Sequence, residues 1–334
     1  MKQKHATTLV TVTYGDRLAY LRQLVERSLA SPQVERIVIV SNASSAPLEQ
    51  LLARWPEQIM LVELGRNTGS AVGYGHGLRA ALEAGAEYVW MMDDDNAPVA
   101  DALDVLHRTL ERLAATHGRD GVAVLGFRPT QQADIAAGVP SRYAIQPPSS
   151  YFGFHLAQLP YKLWRRLPWG RPAGTPPALV SLPFAPYGGM LAHRSLYQRI
   201  GVPLPDLVLY VDDTEYTRRI TAGGGHLYLV TEARLEELET SWNVRARRPN
   251  VYDTFLLGGS DLRAYYSARN QAWFDRHRWA ASKLMHGLNR AAFLWLLRRF
   301  ARRRGAGTRL ALLERAIREG ETGRLGADDG FPLA

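Results

Sequence analysis

Apolar runs and helical spacings alternate through the first 125 residues. Residues 8–13 have the composition of a strand and break at Tyr14, Gly15 and Asp16. Leu18, Leu21, Leu24, Val25 and Leu29 then recur at helical intervals, which predicts a helix over 17–30. Strands are expected at 36–40 and 58–63, with a helix at 47–55 between them. A glycine-rich stretch, 67–77, leads into a helix at 78–84, and 88–92 reads as a buried strand. A helix over 100–116 and a strand at 122–125 complete the series. This alternation predicts an α/β fold, a Rossmann-like, mostly parallel sheet flanked by helices. Residues 128–180 are rich in Pro and Gly and are expected to be long loops or short irregular elements over the sheet. Residues 207–211 read as a further strand running into a helix from Thr214. Beyond Asn243 the chain turns aromatic and basic, then helical over 260–304, with a break at 305–307 and a last helix at 308–319. The shift divides the chain into 1–243 and a C-terminal, mainly helical basic region, 244–334, packed on it.

Two acidic clusters stand at expected strand ends. Asp93, Asp94 and Asp95 follow the run 88–92, and in open α/β sheets ligands bind outside the carboxyl ends of the strands. Three carboxylates there repel one another and lose hydration, so they need a cation to stay charged. A hard divalent ion with oxygen ligands, Mg²⁺ or Mn²⁺, would bridge them to a ligand phosphate. The series Asp94 to Pro98 also suits the start of a helix, and spacing alone leaves both readings open. Asp212 and Asp213 precede the helix from Thr214. A carboxylate at a helix N-terminus is kept in its proton-accepting form and can serve as general base on a hydroxyl; a simple N-cap is the alternative. One cluster for a metal and one for a base is what direct displacement of a sugar from a nucleotide requires.

The spacing of Gly69, Gly73, Gly75 and Gly77 is not the dinucleotide fingerprint and follows the third strand. These glycines instead let backbone approach a nucleotide, or a helix approach the sheet. The chain has no cysteine, which excludes disulfides, thiolate metal sites and cysteine nucleophiles. Its longest apolar run, 291–297, falls far short of the roughly 20 residues that span a bilayer, and the first residues carry no secretory apolar core. A cytoplasmic location is expected. The net charge of +9 is concentrated: residues 243–304 hold 14 Lys/Arg against three Asp. Such a segment points to phosphate, an anionic membrane surface or nucleic acid, and with no nucleic-acid-reading motif the last is set aside.

The ordered series resembles the family-2 inverting glycosyltransferases of GT-A fold, in particular the bacterial branch with galactofuranosyl- and rhamnosyltransferases. It comprises residues 10–14, 40–44, Asn67 with Gly69, Asp93–Asp95, the loop 187–190, 212–216, 265–270 and 316–326. The resemblance implies metal-dependent transfer of a sugar from a UDP- or dTDP-sugar to a hydroxyl of a glycan or polyprenyl-linked acceptor, in cell-surface polysaccharide synthesis. It places Thr13, Tyr14 and Asn42 at the nucleobase and ribose, with Arg66 and Asn67 near the nucleotide. Asp93 or Asp94 would meet ribose or metal, and Asp95 would be the principal metal ligand. Gly188 and Gly189 would floor the site, Asp213 would be the base and Asp212 its support. Where many relatives carry a metal-binding His, this chain has Glu237, with Glu239 two residues on and His226 nearby at the expected strand start. Phe293, Trp295 and Phe300 among arginines at 290, 298, 299 and 302–304 suit a helix lying on the inner face of the cell membrane; a core helix or an oligomer interface has the same pattern. A sugar-nucleotide-forming nucleotidyltransferase and a non-catalytic glycan-binding protein are the alternatives. The first should carry a basic Gly-rich loop after the first strand, of which residues 14–17 are a poor version.

Overall fold

The computed structural model describes residues 5–172, 174–239 and 250–333, so the division expected at 243/244 lies outside the described residues. The chain begins β1 (Thr7–Gly15), α1 (Leu18–Leu29), β2 (Val34–Ser44), α2 (Glu49–Arg54), β3 (Ile59–Glu63), α3 (Ser70–Glu83) and β4 (Tyr88–Met91). A short β5 (Asn96–Pro98), α4 (Ala102–His117) and β6 (Val122–Phe127) follow. Next come α5 (Ala133–Ala136), α6 (Ser141–Ala144), α7 (Leu159–Trp164), β7 (Leu179–Ser181), β8 (Met190–His193), α8 (Arg194–Ile200), α9 (Asp212–Ala222) and β9 (His226–Glu237). The C-terminal helices are α10 (Val251–Leu257), α11 (Asp261–His277), α12 (Lys283–Arg304) and α13 (Gly307–Glu321).

The sheet runs β3-β2-β1-β4-β8-β6-β9-β5, with β7 also on β9. β3, β2, β1 and β4 are parallel, as are β6 and β9, while β8 lies antiparallel between β4 and β6. Alternation within strands builds a layer on each face. Val10, Val38, Val40, Val89 and Met91 pack under α3, α8 and α9 through Leu78, Leu196 and Ile220. Leu9, Ile37, Ile39, Tyr88 and Trp90 pack under α1 and α4 through Leu21, Leu24, Leu106 and Leu110. A third core, of Tyr151, Phe152 and Val208 with α10 to α13, joins the C-terminal helices to the rest.

Three expectations change. α3 starts at Ser70, so the glycine-rich stretch is helix: Gly73 and Gly77 face Val12, Val10 and Val40, where a Cβ would overlap the strands. Asp94 to Pro98 is no helix start, because β5 pairs with Leu235–Glu237 of β9 and α4 begins only at Ala102. Residues 207–211 are not a strand. A 3-10 turn, Pro205–Leu207, leads into Val208, Tyr210 and Val211 at φ 62°, 67° and 65°. Residues 128–180 are, as expected, loops with short elements among them, α5, α6, α7 and β7.

Candidate active site

β1, β2, β4 and β6 release their chains toward one cleft, and the candidate residues lie on the turns that follow. Thr13 is buried near the end of β1, and Tyr14 is exposed beside it. Asn42, near the end of β2, is buried, and its amide is committed to the next turn. It donates to Asn67 Oδ1 at 3.0 Å and to the Gly69 carbonyl at 3.2 Å, and it accepts from the Thr68 N–H at 2.8 Å. Asn42 therefore shapes the Asn67–Gly69 turn, and Arg66 stands exposed just before it.

The three aspartates follow β4 in different surroundings. Asp93 accepts from the Tyr74 hydroxyl at 3.0 Å, Asn96 Nδ2 at 2.9 Å and Arg128 at 3.0 Å. Gly188 lies against it, where any Cβ would overlap the carboxylate. Asp94 is buried, and Arg17 Nε reaches its two oxygens at 3.0 and 2.9 Å. The same guanidinium holds Asp95 at 2.9 Å and Glu239 at 2.7 Å, and it lies near the rings of Tyr14 and Tyr20. Burial opposes its charge, but the carboxylates outweigh that cost and raise its pKa. Burial pushes Asp94 up to about 7 against the pull of Arg17. Burial and the charge of Asp93 push Asp95 up to about 6. The cations that the aspartates require are thus supplied in part by Arg17 and Arg128.

These residues fit a divalent ion in their chemistry. Asp93 and Asp95 are 34% and 29% exposed, and one oxygen of Asp95 has no hydrogen-bond partner among the described residues. Oxygen-only ligands suit Mg²⁺ or Mn²⁺, and burial of Asp94 and Asp95, which raises their pKa values, is a cost that a bound cation would offset. Among the described residues, however, no group of three His, Asp or Glu is arranged as a ready metal site. Glu237 pairs with Thr130, so Glu239 and not Glu237 reaches toward the aspartates, through Arg17. His226 is at the start of β9, its ring against His117 at 3.8 Å and apart from this cleft.

Asp212 and Asp213 open α9. Asp212 is buried, with the Ser70 and Tyr187 hydroxyls beside it; burial and the neighbouring charge of Asp213 raise its pKa. Asp213 is half-buried and accepts from the Thr214 N–H at 2.6 Å. Burial raises its pKa, the charge of Asp93 adds to this, and Thr214 and Arg128 act in the other direction. It opens into a cavity of about 620 Å³ lined by Gln131, Gln132, Asp134, Ile145, Phe184 and Pro186, among others. Gly189, at φ 101°, lets the loop after Tyr187 turn between this cavity and the aspartates.

Residues 8–164 match the family model described as glycosyl transferase family 2. The chain carries a family-2 glycosyltransferase domain. That domain runs from β1 through α7 and includes the aspartate cluster. The chain is 27% identical over 237 residues to the galactofuranosyltransferase GlfT1 of Mycobacterium tuberculosis, covering 67% of this chain and 66% of that protein. GlfT1 of Mycolicibacterium smegmatis is 26% identical over 199 residues, 57% of each chain. The chain thus spans just under two-thirds of the length of the first of these relatives. In fold, it matches a mannosyltransferase of Pyrobaculum calidifontis solved with GDP-Man and Mn²⁺. The TM-score is 0.51 at 18% identity, covering 96% of this chain and 88% of that one. GalNAc-T7, solved with UDP, GalNAc and Mn²⁺, matches at TM-score 0.52 and 12% identity, over 77% of this chain and 48% of that one. The family-2 domain has the GT-A fold of these neighbours.

Arg17, Arg128 and Tyr74 were not singled out from sequence. The available signal was position: Arg17 lies two residues after β1 and Arg128 directly after β6, at strand ends that open on the cleft.

Proposed function

We propose that this protein is an inverting glycosyltransferase that moves a sugar from a nucleoside diphosphate to an acceptor hydroxyl. The observation that carries it is the placement of Asp213 between the aspartate cluster and a separate 620 Å³ cavity. The donor nucleotide lies along Thr13, Tyr14, Arg66 and Asn67, its ribose and diphosphate reaching Asp93–Asp95. Asp95 and Asp93 would hold a divalent ion, which neutralises charge on the leaving diphosphate when bound. The acceptor enters the cavity, and Asp213 takes its hydroxyl proton. The hydroxyl oxygen then bonds to the anomeric carbon as the bond from that carbon to the diphosphate breaks. Buried Asp212 keeps Asp213 in place, and the raised pKa of Asp213 strengthens it as a base near neutral pH. The family resemblance favours a UDP- or dTDP-sugar and a glycan or polyprenyl-linked glycan acceptor, and the neighbours solved with UDP and with GDP-Man support a nucleoside-diphosphate donor. Residues 1–243 would carry donor and base, with the basic helix α12 on the inner face of the membrane.

The test is a thermal-shift panel of UDP-, dTDP- and GDP-sugars with and without Mn²⁺, on wild type, Asp95→Ala and Asp213→Asn. A donor at a hundred times its Kd stabilises by about 2.7 kcal/mol. One nucleotide class should shift wild type and Asp213→Asn, but not Asp95→Ala. In a transfer assay Asp213→Asn should be inactive. No shift with any donor would end the proposal.

A further inference from the structure

Large exposed apolar side chains are concentrated in two stretches. Residues 163–169 expose Leu163, Trp164, Leu167 and Trp169, the last 72% accessible. Along α12, Leu284, Leu288 and Trp295 are also exposed, Trp295 at 61%. Their spacing, with Ala291 between them, follows one outer face of the helix. The inner face, with Phe293, Leu294 and Leu297, belongs to the third core. The core-helix reading is met on the inner side of α12, and the outer side is left exposed. Residues 163–169 have no such inner face: no residue of α7 is buried.

The segment that leads into the first stretch is tied to the inner face of α12. The Leu156 N–H, just ahead of α7, donates to Asn289 Oδ1 of α12 at 2.9 Å, and Asn289 Nδ2 donates to the Ser149 carbonyl at 2.9 Å. Asn289 adjoins exposed Leu288. Cations are interleaved with the apolar groups: Arg166 and Arg171 in the first stretch, and Lys283, Arg299, Arg302 and Arg303 in the second. All six are exposed, and none pairs with a carboxylate among the described residues. The first stretch lies behind the cavity at Asp213, touching its lining from outside. Tyr161 stacks on Tyr143 at 3.7 Å, and Arg165 holds Asp134, a cavity residue, at 2.8 Å.

We infer that residues 159–171 and the outer face of α12 form one docking surface for an anionic lipid bilayer. Tryptophans enter the headgroup region and unpaired arginines meet lipid phosphates. Among the described residues no helix is long and apolar enough to cross a membrane, so docking would be peripheral. Exposed tryptophan and leucine interleaved with unpaired cations match an interface that is apolar below and anionic above. A second copy fits less well, because a net charge of +9 opposes self-association. Resting on the proposed transfer reaction, docking here would place the Asp213 cavity near the lipid surface. An acceptor sugar carried on a lipid could then reach it without leaving the bilayer.

The full chain is sedimented with phosphatidylglycerol-containing vesicles and with pure phosphatidylcholine vesicles. Variants are Trp164→Ala/Trp169→Ala and Trp295→Ala, with circular dichroism and the donor thermal shift as checks of folding. Wild type is expected to bind the anionic vesicles only, and the double variant to bind about tenfold or more weakly with its donor shift unchanged. Absence of binding to anionic vesicles, or equal binding by a folded double variant, overturns the inference. So does a wild-type dimer in sedimentation velocity that the tryptophan substitutions dissociate, since this surface would then belong to a second copy. Tryptophan-dependent vesicle binding supports the surface even in a preparation that transfers no sugar, so the two proposals fail separately.

Discussion

Single side chains in this protein carry charge problems that their neighbours solve. Arg17 is the clearest, since one guanidinium from the end of β1 spans Asp94, Asp95 and Glu239. Removing one partner of a buried pair leaves the other charge uncompensated, at a cost of about 3 kcal/mol. Arg17→Gln should lose about that much stability at pH 8 by urea denaturation. Asp94 has a folded pKa raised to about 7, so its ionisation costs stability as pH rises through the interval from its unfolded value. The variant should therefore recover part of the loss at pH 6, where Asp94 takes up a proton. An equal loss at both pH values would show that Asp94 is not the group left exposed. His107 has the opposite sign. It is buried against Thr7 at 2.7 Å, and burial pushes its pKa down to about 3. The unfolded chain binds a proton near pH 6.5 that the folded chain refuses, so stability falls as pH drops from 6.5 toward 3. The slope from this group is about 1.4 kcal/mol per pH unit, and it should be missing in His107→Gln.

Elements place the catalytic candidates by fixing backbone that would not otherwise stay put. Val208, Tyr210 and Val211 have positive φ, a genuine outlier for β-branched or bulky residues that neighbours must hold in place. Asn270 of α11 supplies the restraint. Its buried Nδ2 donates to the carbonyls of Leu207, Leu209 and Tyr210 at 2.6, 2.8 and 3.0 Å. Arg269 orients that amide, with Nε 3.0 Å from Asn270 Oδ1. The turn then delivers Asp212 and Asp213 to the start of α9. Asn270→Ala should lower turnover on the order of a hundredfold, the scale of a 1 Å misplacement, while the donor thermal shift survives. A variant with normal turnover would show that the turn holds itself. From the other side, Gly69 at φ 84° packs on the Val208 backbone, where a Cβ would overlap the carbonyl oxygen. Gly69→Ala should cost more than about 2 kcal/mol through strain and overlap, read as a lower Tm.

At the scale of the whole molecule, the C-terminal helices share cores with the turn that leads to Asp212 and Asp213. Leu207 packs with Trp273, Phe274 and Trp279, and Val208 belongs to the core formed by α10 to α13. The loop residues Tyr151 and Phe152 enter the same core, with the Phe152 N–H 2.7 Å from Asp275. A chain ended after residue 243 should therefore lose cooperative unfolding and near-ultraviolet circular dichroism. An intact, cooperative 1–243 fragment would show instead that the third core is dispensable.

The sequence by itself determined the layered α/β core, because strand and helix periodicities are local and each buries one face. It also marked both acidic clusters, since carboxylates directly after apolar runs are visible in one dimension. It did not foretell that 207–211 is a strained turn. A run of Leu, Val and Tyr has strand composition, and only Asn270, some sixty residues away, overrides it. Nor could it pair Arg17 with three carboxylates from two distant segments, or show that Asn42 spends its amide on the next turn. Those outcomes depend on contacts between residues far apart in the chain. Tertiary structure also decided which side of α12 is core and which is exposed, because its apolar residues surround the helix and only packing chooses between them.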